Sequence, residues 1–93
     1  MELVKSMCKT DDFLITLQYV LTSKYRVKTI KAIGREVKIP TRIAKDSGIH
    51  ANHISKVLAE LKKCGVAECL NEDMRKGRLY RLTPLGLLVL DEL

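Results

Sequence analysis

The sequence lacks a long apolar run and has few of the residues that interrupt regular structure. No stretch is long and apolar enough to span a membrane, and the start, MELVKSMCKTDD, has no signal-peptide core. Only two prolines and five glycines occur among 93 residues, of which 46% are apolar. This excludes a disordered or low-complexity chain and is typical of one small globular domain. We therefore expect a single domain over residues 1–93, in the cytoplasm and without membrane contact.

Cysteine is also scarce. The chain has three cysteines, an odd number at irregular spacing: Cys8, Cys64 and Cys69. This argues against a disulfide framework and fits a reducing compartment. His50 and His53 lie one helical turn apart, but no acid or thiol accompanies them, so we expect polar contacts and no metal site. A Gly-rich phosphate loop is missing, and about three helical turns or more separate Cys64 from either histidine along one helix. We expect no cofactor and no catalysis.

Positive charge is concentrated in the middle of the chain. Eleven lysines and arginines lie between Ser23 and Lys63 against three acids, a net of +8, whereas residues 1–22 and 64–93 each carry −1. Charge that served solubility alone would be scattered. An uneven positive charge on a small domain is the electrostatic footprint of a polyanion binder, because lysine and arginine release the counterions condensed on phosphates.

The segment PTRIAKDSGIHANHISKVLAELKKCG, residues 40–65, predicts a helix, a tight turn and a longer helix. The first helix opens at Thr41, whose hydroxyl can cap free amides, and stops at Gly48, which tolerates the left-handed conformation. The second begins at His50 or Asn52 and ends at Gly65. It carries an apolar stripe at helical period, made of Ile54, Val57, Leu58 and Leu61.

The outer face of this second helix is polar and basic, with almost no acid. It consists of Asn52, His53, Ser55, Lys56, Lys62 and Lys63. Such side chains suit a DNA major groove, where they meet base edges and phosphates. An ordinary helical hairpin with a solvated outer face would have the same pattern, since helix-turn-helix is a shape before it is a function.

Two helices are predicted before this segment. Residues 1–9 show little periodicity and are expected to form an arm, and a helix starts at Thr10, followed by two acids, and runs to about Leu21. Its apolar residues occupy more than one face. A second helix from Ser23 to near Gly34 follows after a break. Its predicted apolar side is Tyr25, Val27, Ile30 and Ile33, and its predicted outer side is Lys24, Arg26, Lys28 and Lys31.

The segments before and after residues 40–65 predict short strands and a last helix. Val37 and Ile39 could form a short strand in the link before Pro40. After Gly65, residues 66–70 and 78–83 predict an antiparallel ribbon around the polar linker NEDMRKG, with Arg75, Lys76 and Arg78 at or near its tip. Thr83 and Pro84 mark the start of the final helix, which runs to the C-terminus.

The order of these motifs resembles the archaeal winged helix-turn-helix regulators, related in plan to the MarR and ArsR groups. The resemblance rests on SKYRVKTIKAIG, on the segment from residue 40 to Val66 and on GRLYRLTPLG, and covers roughly three quarters of the chain. It implies a mainly α fold with a small β-ribbon: an N-terminal arm and helix (1–22), the helix-turn-helix (41–64), the wing (66–83) and a C-terminal helix (84–93). The paired recognition-helix cysteines of the ArsR metal sensors are missing, so metal sensing is not implied.

The resemblance also implies a function, a sequence-specific transcriptional regulator that binds double-stranded DNA. The alternative is a winged-helix module that docks another protein and uses its charge on an acidic partner. The apolar faces of the first and last helices are expected to pair in a homodimer. The predicted DNA-contacting residues are Thr41, Arg42, His50, Asn52, His53, Ser55, Lys56, Arg75, Lys76 and Arg78.

Overall fold

The computed structural model describes the backbone of residues 2–93 and the side chains of residues 12–93. Within that part it contains five helices and one two-stranded antiparallel ribbon. The elements in chain order are α1 (Glu2–Leu21), α2 (Lys24–Ile33), α3 (Pro40–Ser47), α4 (Ala51–Lys63), β1 (Ala67–Cys69), β2 (Tyr80–Leu82) and α5 (Pro84–Asp91). None of these helices is long and apolar enough to cross a membrane.

The core lies where α2, α3 and α4 pack on one another. β1 packs on α4, β2 packs on α2, and α5 packs on α1, α2 and β2. The apolar stripe predicted on α4 is confirmed, because all four of its side chains are buried. Ile30 and Ile33 of α2 and Ile43 of α3 are fully buried against it. The buried stripe fixes which side of α4 faces solvent.

Side-chain caps lie at the starts of α2 and α5. The hydroxyl of Ser23 accepts a hydrogen bond from the Arg26 amide at α2, and that of Thr83 accepts one from the Gly86 amide at α5, which confirms both predicted starts. The predicted Thr41 cap of α3 is wrong: Ile39 occupies the cap position without a side-chain bond, and Pro40 is the first helical residue. Proline fits there because its missing N–H would have no partner within the helix.

α1 is longer than predicted. It begins at Glu2 and runs through Thr10 without interruption, so the predicted arm and the predicted start at Thr10 are wrong, while the cap expected from the Thr10 side chain lies outside the described residues. The break between α1 and α2 is confirmed. Val20 is fully buried, and the side chains on the other face of α1 that are exposed are Leu14, Ile15, Tyr19 and Leu21.

Two neighbouring side chains of α2 exchange the sides predicted for them. Tyr25 was expected inside and is 43% exposed, whereas Arg26 was expected outside and its side chain is only 14% exposed. Arg26 turns inward because it has partners there: its Nε donates to Glu60 of α4 at 3.2 Å, and its guanidinium lies 3.8 Å from the centre of the Tyr19 ring. An arginine with such partners can be covered by protein, and the less polar tyrosine is left at the surface.

The ribbon is the predicted antiparallel pair, with shorter strands. Ala67 pairs with Leu82 and Cys69 with Tyr80, so Tyr80 and Leu82 are buried while Arg81 points outward. The strand expected around Val37 and Ile39 reduces to a single bridge between Lys38 and Tyr80. Two backbone hydrogen bonds join these residues and hold the link before α3 against the ribbon.

Candidate nucleic-acid interface

The exposed part of α4 has a centre and two flanks, because successive side chains turn by about 100° around a helix. Asn52, Lys56 and Lys63 point directly away from the buried stripe. Ser55 and Lys62 lie on the flank toward the ribbon, and His53 and Glu60 lie on the flank toward α2. Lys63 belongs to the centre although it was missing from the predicted contact set; its spacing of seven residues from Lys56 is the signal that places it there.

The loop that joins the two strands, residues 70–79, is tied to α4 and to itself. Lys62 of α4 forms an ion pair with Glu72, which raises the pKa of Lys62 and lowers that of Glu72. Asn71 accepts a hydrogen bond from the Leu79 amide at 2.8 Å and donates one to the Gly77 carbonyl at 3.1 Å. We call this loop with β1 and β2 the wing. Its contacts hold the loop in one position relative to α4.

Arg78 takes part in the same arrangement. Its Nε donates to the Met74 carbonyl at 2.6 Å and its Nη2 donates to the Glu72 carbonyl at 3.0 Å. Arg78 therefore bridges the loop from within. Arg75 and Lys76 at the tip are exposed and form no ion pair with any residue of the described part. The three wing cations thus stand in two different environments.

A groove of ≈ 600 Å³ separates the wing from α4. Ser55, Ala59 and Lys62 form one wall, Arg75 to Arg78 form the other, and Pro40 and Thr41 at the start of α3 close one end. Five of the predicted contact residues therefore border one concave surface: Thr41, Ser55, Arg75, Lys76 and Arg78. The lysine and arginine side chains of the two walls make this surface positive.

Two other predicted contact residues have partners within the protein. Arg42 pairs with Asp46 one turn later in α3, and Lys38 donates to the same carboxylate at 2.8 Å. The hydrogen bond from Lys38, aided by Arg42, holds the pKa of Asp46 below its usual value. Arg42 is nevertheless 63% exposed, so its guanidinium is still accessible from solvent. His50 caps α4, its Nδ1 accepting from the Asn52 amide at 3.2 Å.

The flank of α4 toward α2 differs from the wing flank. His53 is exposed, and the centre of its ring lies 5.2 Å from that of Tyr25, with the planes tilted by 51°. The one acid of α4, Glu60, lies on this flank and is paired with Arg26. The centre of the outer face of α4 therefore carries no negative side chain.

The thiols and histidines do not come together as a reactive site among the described residues. Cys64 is half-buried, and burial raises the pKa of its thiol. Within residues 12–93, no three side chains of histidine, cysteine, aspartate or glutamate come close enough together to hold a metal ion.

The fold of this chain is similar to that of a solved structure, NadR in complex with 4-hydroxyphenylacetate. The two share a TM-score of 0.65 at 15% sequence identity, over 96% of this chain and 67% of the NadR chain. Neither a protein-family model nor a curated protein matches the sequence. At this identity the likeness shows the fold: the chain is a mainly helical winged helix-turn-helix with additional N-terminal and C-terminal helices, as predicted.

Proposed function

We propose that this protein is a sequence-specific DNA-binding transcriptional regulator. In this proposal α4 is the recognition helix and enters the major groove, and the wing contacts the adjacent backbone. The observation that carries the proposal is the outer face of α4, where Asn52, Lys56 and Lys63 stand without an acid between them, beside a wing whose tip cations are exposed. A helix of about 10–12 Å diameter fits a major groove about 12 Å wide.

The exposed residues divide by the contacts they can make. Asn52 and Ser55 are short polar groups near the start of α4 that can reach base edges. Lys56, Arg75 and Lys76 are long cations suited to phosphates, which fix the position of a protein on DNA without reading its sequence. Arg78 contributes indirectly in this proposal, because its bonds to the loop carbonyls hold the tip in place.

The test begins with selection of bound duplexes from a random pool, followed by affinity against salt on a preferred and a scrambled duplex. Asn52→Ala is expected to cost ~1–3 kcal/mol on the preferred duplex and little on the scrambled one. Arg75→Ala is expected to weaken both about equally and to lower the salt slope by about one unit. Arg81→Ala is the matched control, since Arg81 pairs with Glu68 beside a different cavity from the groove.

The outcomes separate DNA binding from the alternative of an interaction module. An unenriched pool, together with unchanged affinity in Asn52→Ala and an unchanged salt slope in Arg75→Ala, would overturn the proposal and favour a protein partner. An effect of Arg81→Ala as large as that of Arg75→Ala would show that total charge, rather than the wing, determines binding. None of the three substitutions is expected to unfold the domain, because all three side chains are exposed.

We further propose that the regulator is a homodimer formed through α1 and α5. α1 exposes apolar side chains along one face, of which Ile15 is 67% exposed, and Leu88 of α5 is 51% exposed. Isolated apolar side chains are common on surfaces, but several along one helix are typical of an interface. A two-fold pair would present two copies of α4 about one DNA turn, ~34 Å, apart. Sedimentation at tens of micromolar tests this. A wild-type protein that sediments as a monomer would contradict the dimer, and a dimer mass that persists in Ile15→Glu would contradict the proposed interface.

A further inference from the structure

The start of α2 lies along the flank of α4 that is turned away from the wing. The Tyr25 ring leans on His53 with 5.2 Å between ring centres, and Arg26 bonds to Glu60 two turns further along α4. The wing occupies the opposite flank through Lys62 and the groove. α4 is therefore bordered on both sides, by the wing on one and by the first turns of α2 on the other.

The side chains of α2 on this border are of two kinds. Arg26 is turned inward: besides Glu60 it donates to the Tyr19 carbonyl and to the Thr22 hydroxyl, both at 2.9 Å. Lys24 and Lys28, one turn apart, are exposed and form no ion pair with any residue whose side chain is described. Tyr25 lies beside them. We call Lys24, Tyr25 and Lys28 the α2 strip.

The charge on this flank is not neutralised locally. Glu60 is the acid of α4 on this flank, and its carboxylate is already paired with Arg26 at 3.2 Å. The first turn of α2 contains no acid. The α2 strip therefore presents two ammonium groups and one phenol hydroxyl to solvent, all of which can donate hydrogen bonds to an anion. Lysine acts on phosphate as a point charge and does not require a fixed orientation.

We propose that the α2 strip is a second phosphate-binding surface, which holds the DNA strand on the side of α4 opposite the wing. The proposal rests on the proposed function and deepens it. A helix inserted in a major groove has one sugar-phosphate strand on each side, since the groove is bounded by both backbones. The wing reaches one strand, and the α2 strip is the basic surface on the other flank. These contacts position the protein and carry no sequence information.

The double substitution Lys24→Ala with Lys28→Ala tests the proposal in the full-length chain. Removing two phosphate contacts is expected to lower the slope of log affinity against log salt by about two units, on the preferred and the scrambled duplex alike. Tyr25→Phe is expected to lower the affinity for both duplexes roughly tenfold, because a hydrogen bond to phosphate is lost. The salt slope is expected to stay unchanged, because the hydroxyl carries no charge. Arg35→Ala with Arg81→Ala is the matched control, because it also removes two exposed positive charges but beside a different cavity from the groove.

Phosphate ethylation locates the contact on the DNA. With the unsubstituted protein, ethyl groups on either strand beside the α4 site are expected to block binding, and with the double variant the block is expected to disappear from one strand. A salt slope equal to that of the Arg35→Ala with Arg81→Ala control would overturn the α2 strip as a DNA contact. If Arg75→Ala still lowered the slope in that experiment, the proposed function would stand and this inference alone would fail. If no sequence were enriched from the pool and no substitution changed the salt slope, both the proposed function and this inference would be overturned.

Discussion

Gly86 offers a test of the packing that holds the wing and the last helix together. It lies in the first turn of α5, where an added Cβ would be 2.1 Å from the Val66 carbonyl oxygen and 3.1 Å from the Leu82 Cβ. The carbonyl cannot retreat easily. It accepts a hydrogen bond from the Thr83 amide at 2.9 Å, and Val66 itself is fully buried. Gly86→Ala therefore requires α5 as a whole to move away from the ribbon.

The surroundings of Gly86 decide whether Gly86→Ala raises or lowers the free energy of unfolding. On an open helix, alanine is about 1 kcal/mol more favourable than glycine. Here the contact must lengthen from 2.1 Å to at least 3.4 Å to become an ordinary one, and the shift pulls the fully buried Val89 out of the core. Overpacking of this kind costs about 1–3 kcal/mol, and a backbone oxygen as the obstacle favours the upper part of that range. We expect a net loss of stability.

Urea unfolding of the wild type, Gly86→Ala and Gly48→Ala provides the measurement. Gly48 has φ of +73° and open space around its Cβ position, so its substitution reports backbone strain alone, about 1 kcal/mol. Gly86→Ala is expected to cost more than Gly48→Ala although Gly86 stands in a helix. If Gly86→Ala were as stable as the wild type, α5 would not pack on the ribbon as described.

Three further predictions concern the core, an ion pair and the wing. Leu58→Ala is expected to cost ~2–5 kcal/mol in urea unfolding, because Leu58 is 2% exposed and its removal leaves a cavity; unchanged stability would mean that the α4 stripe is not core. The lowered pKa of Asp46 adds stability above the ordinary aspartate value, which is lost as pH falls through the lower folded value. Asp46→Asn is therefore expected to lose less stability than the wild type as the pH falls below the ordinary aspartate pKa, and parallel curves for the two proteins would contradict the role of Lys38. Arg78→Ala is expected to lower DNA affinity on all duplexes at least as much as Lys76→Ala, since it releases the loop that carries the tip; full affinity would show that the loop needs no internal bridge.

Features that depend on neighbouring residues could be predicted from the sequence. The caps at Ser23 and Thr83 and the stripe of α4 each follow from side chains within one or two turns, and all are confirmed. The cap of α3 was misassigned because two local preferences competed. Thr41 can cap a helix, but Pro40 fits the first helical position and moved the start one residue earlier.

Features that depend on distant partners could not be predicted. Arg26 lies inside because Glu60, 34 residues later, meets it there. Arg78 bridges the wing loop through carbonyls, which a sequence pattern does not reveal. The role of Asn71 had a local signal, since asparagine at the start of a loop commonly bonds to backbone groups nearby. Tyr25 had a misleading one, because its aromatic ring was grouped with Val27, Ile30 and Ile33 by apolar character although it does not share their helical spacing.

The charges in the first turns of α2 and α3 are unfavourable for the helices themselves, although each helix has a favourably placed lysine in its last turn. A helix start favours acids and a helix end favours cations, yet the first turns of α2 and α3 contain no acid and include Lys24 and Arg42. Asp46 lies at the end of α3, where its charge is also unfavourable. α5 has no acid in its first turn either, but it carries no cation there. Among α2 to α5, whose side chains are all described, a cation in the first turn without an acid thus occurs only in α2 and α3, which both border α4. Violations of local preference are typical of functional surfaces. A polyanion bound across these helix starts would recover the free energy that the arrangement costs the isolated domain.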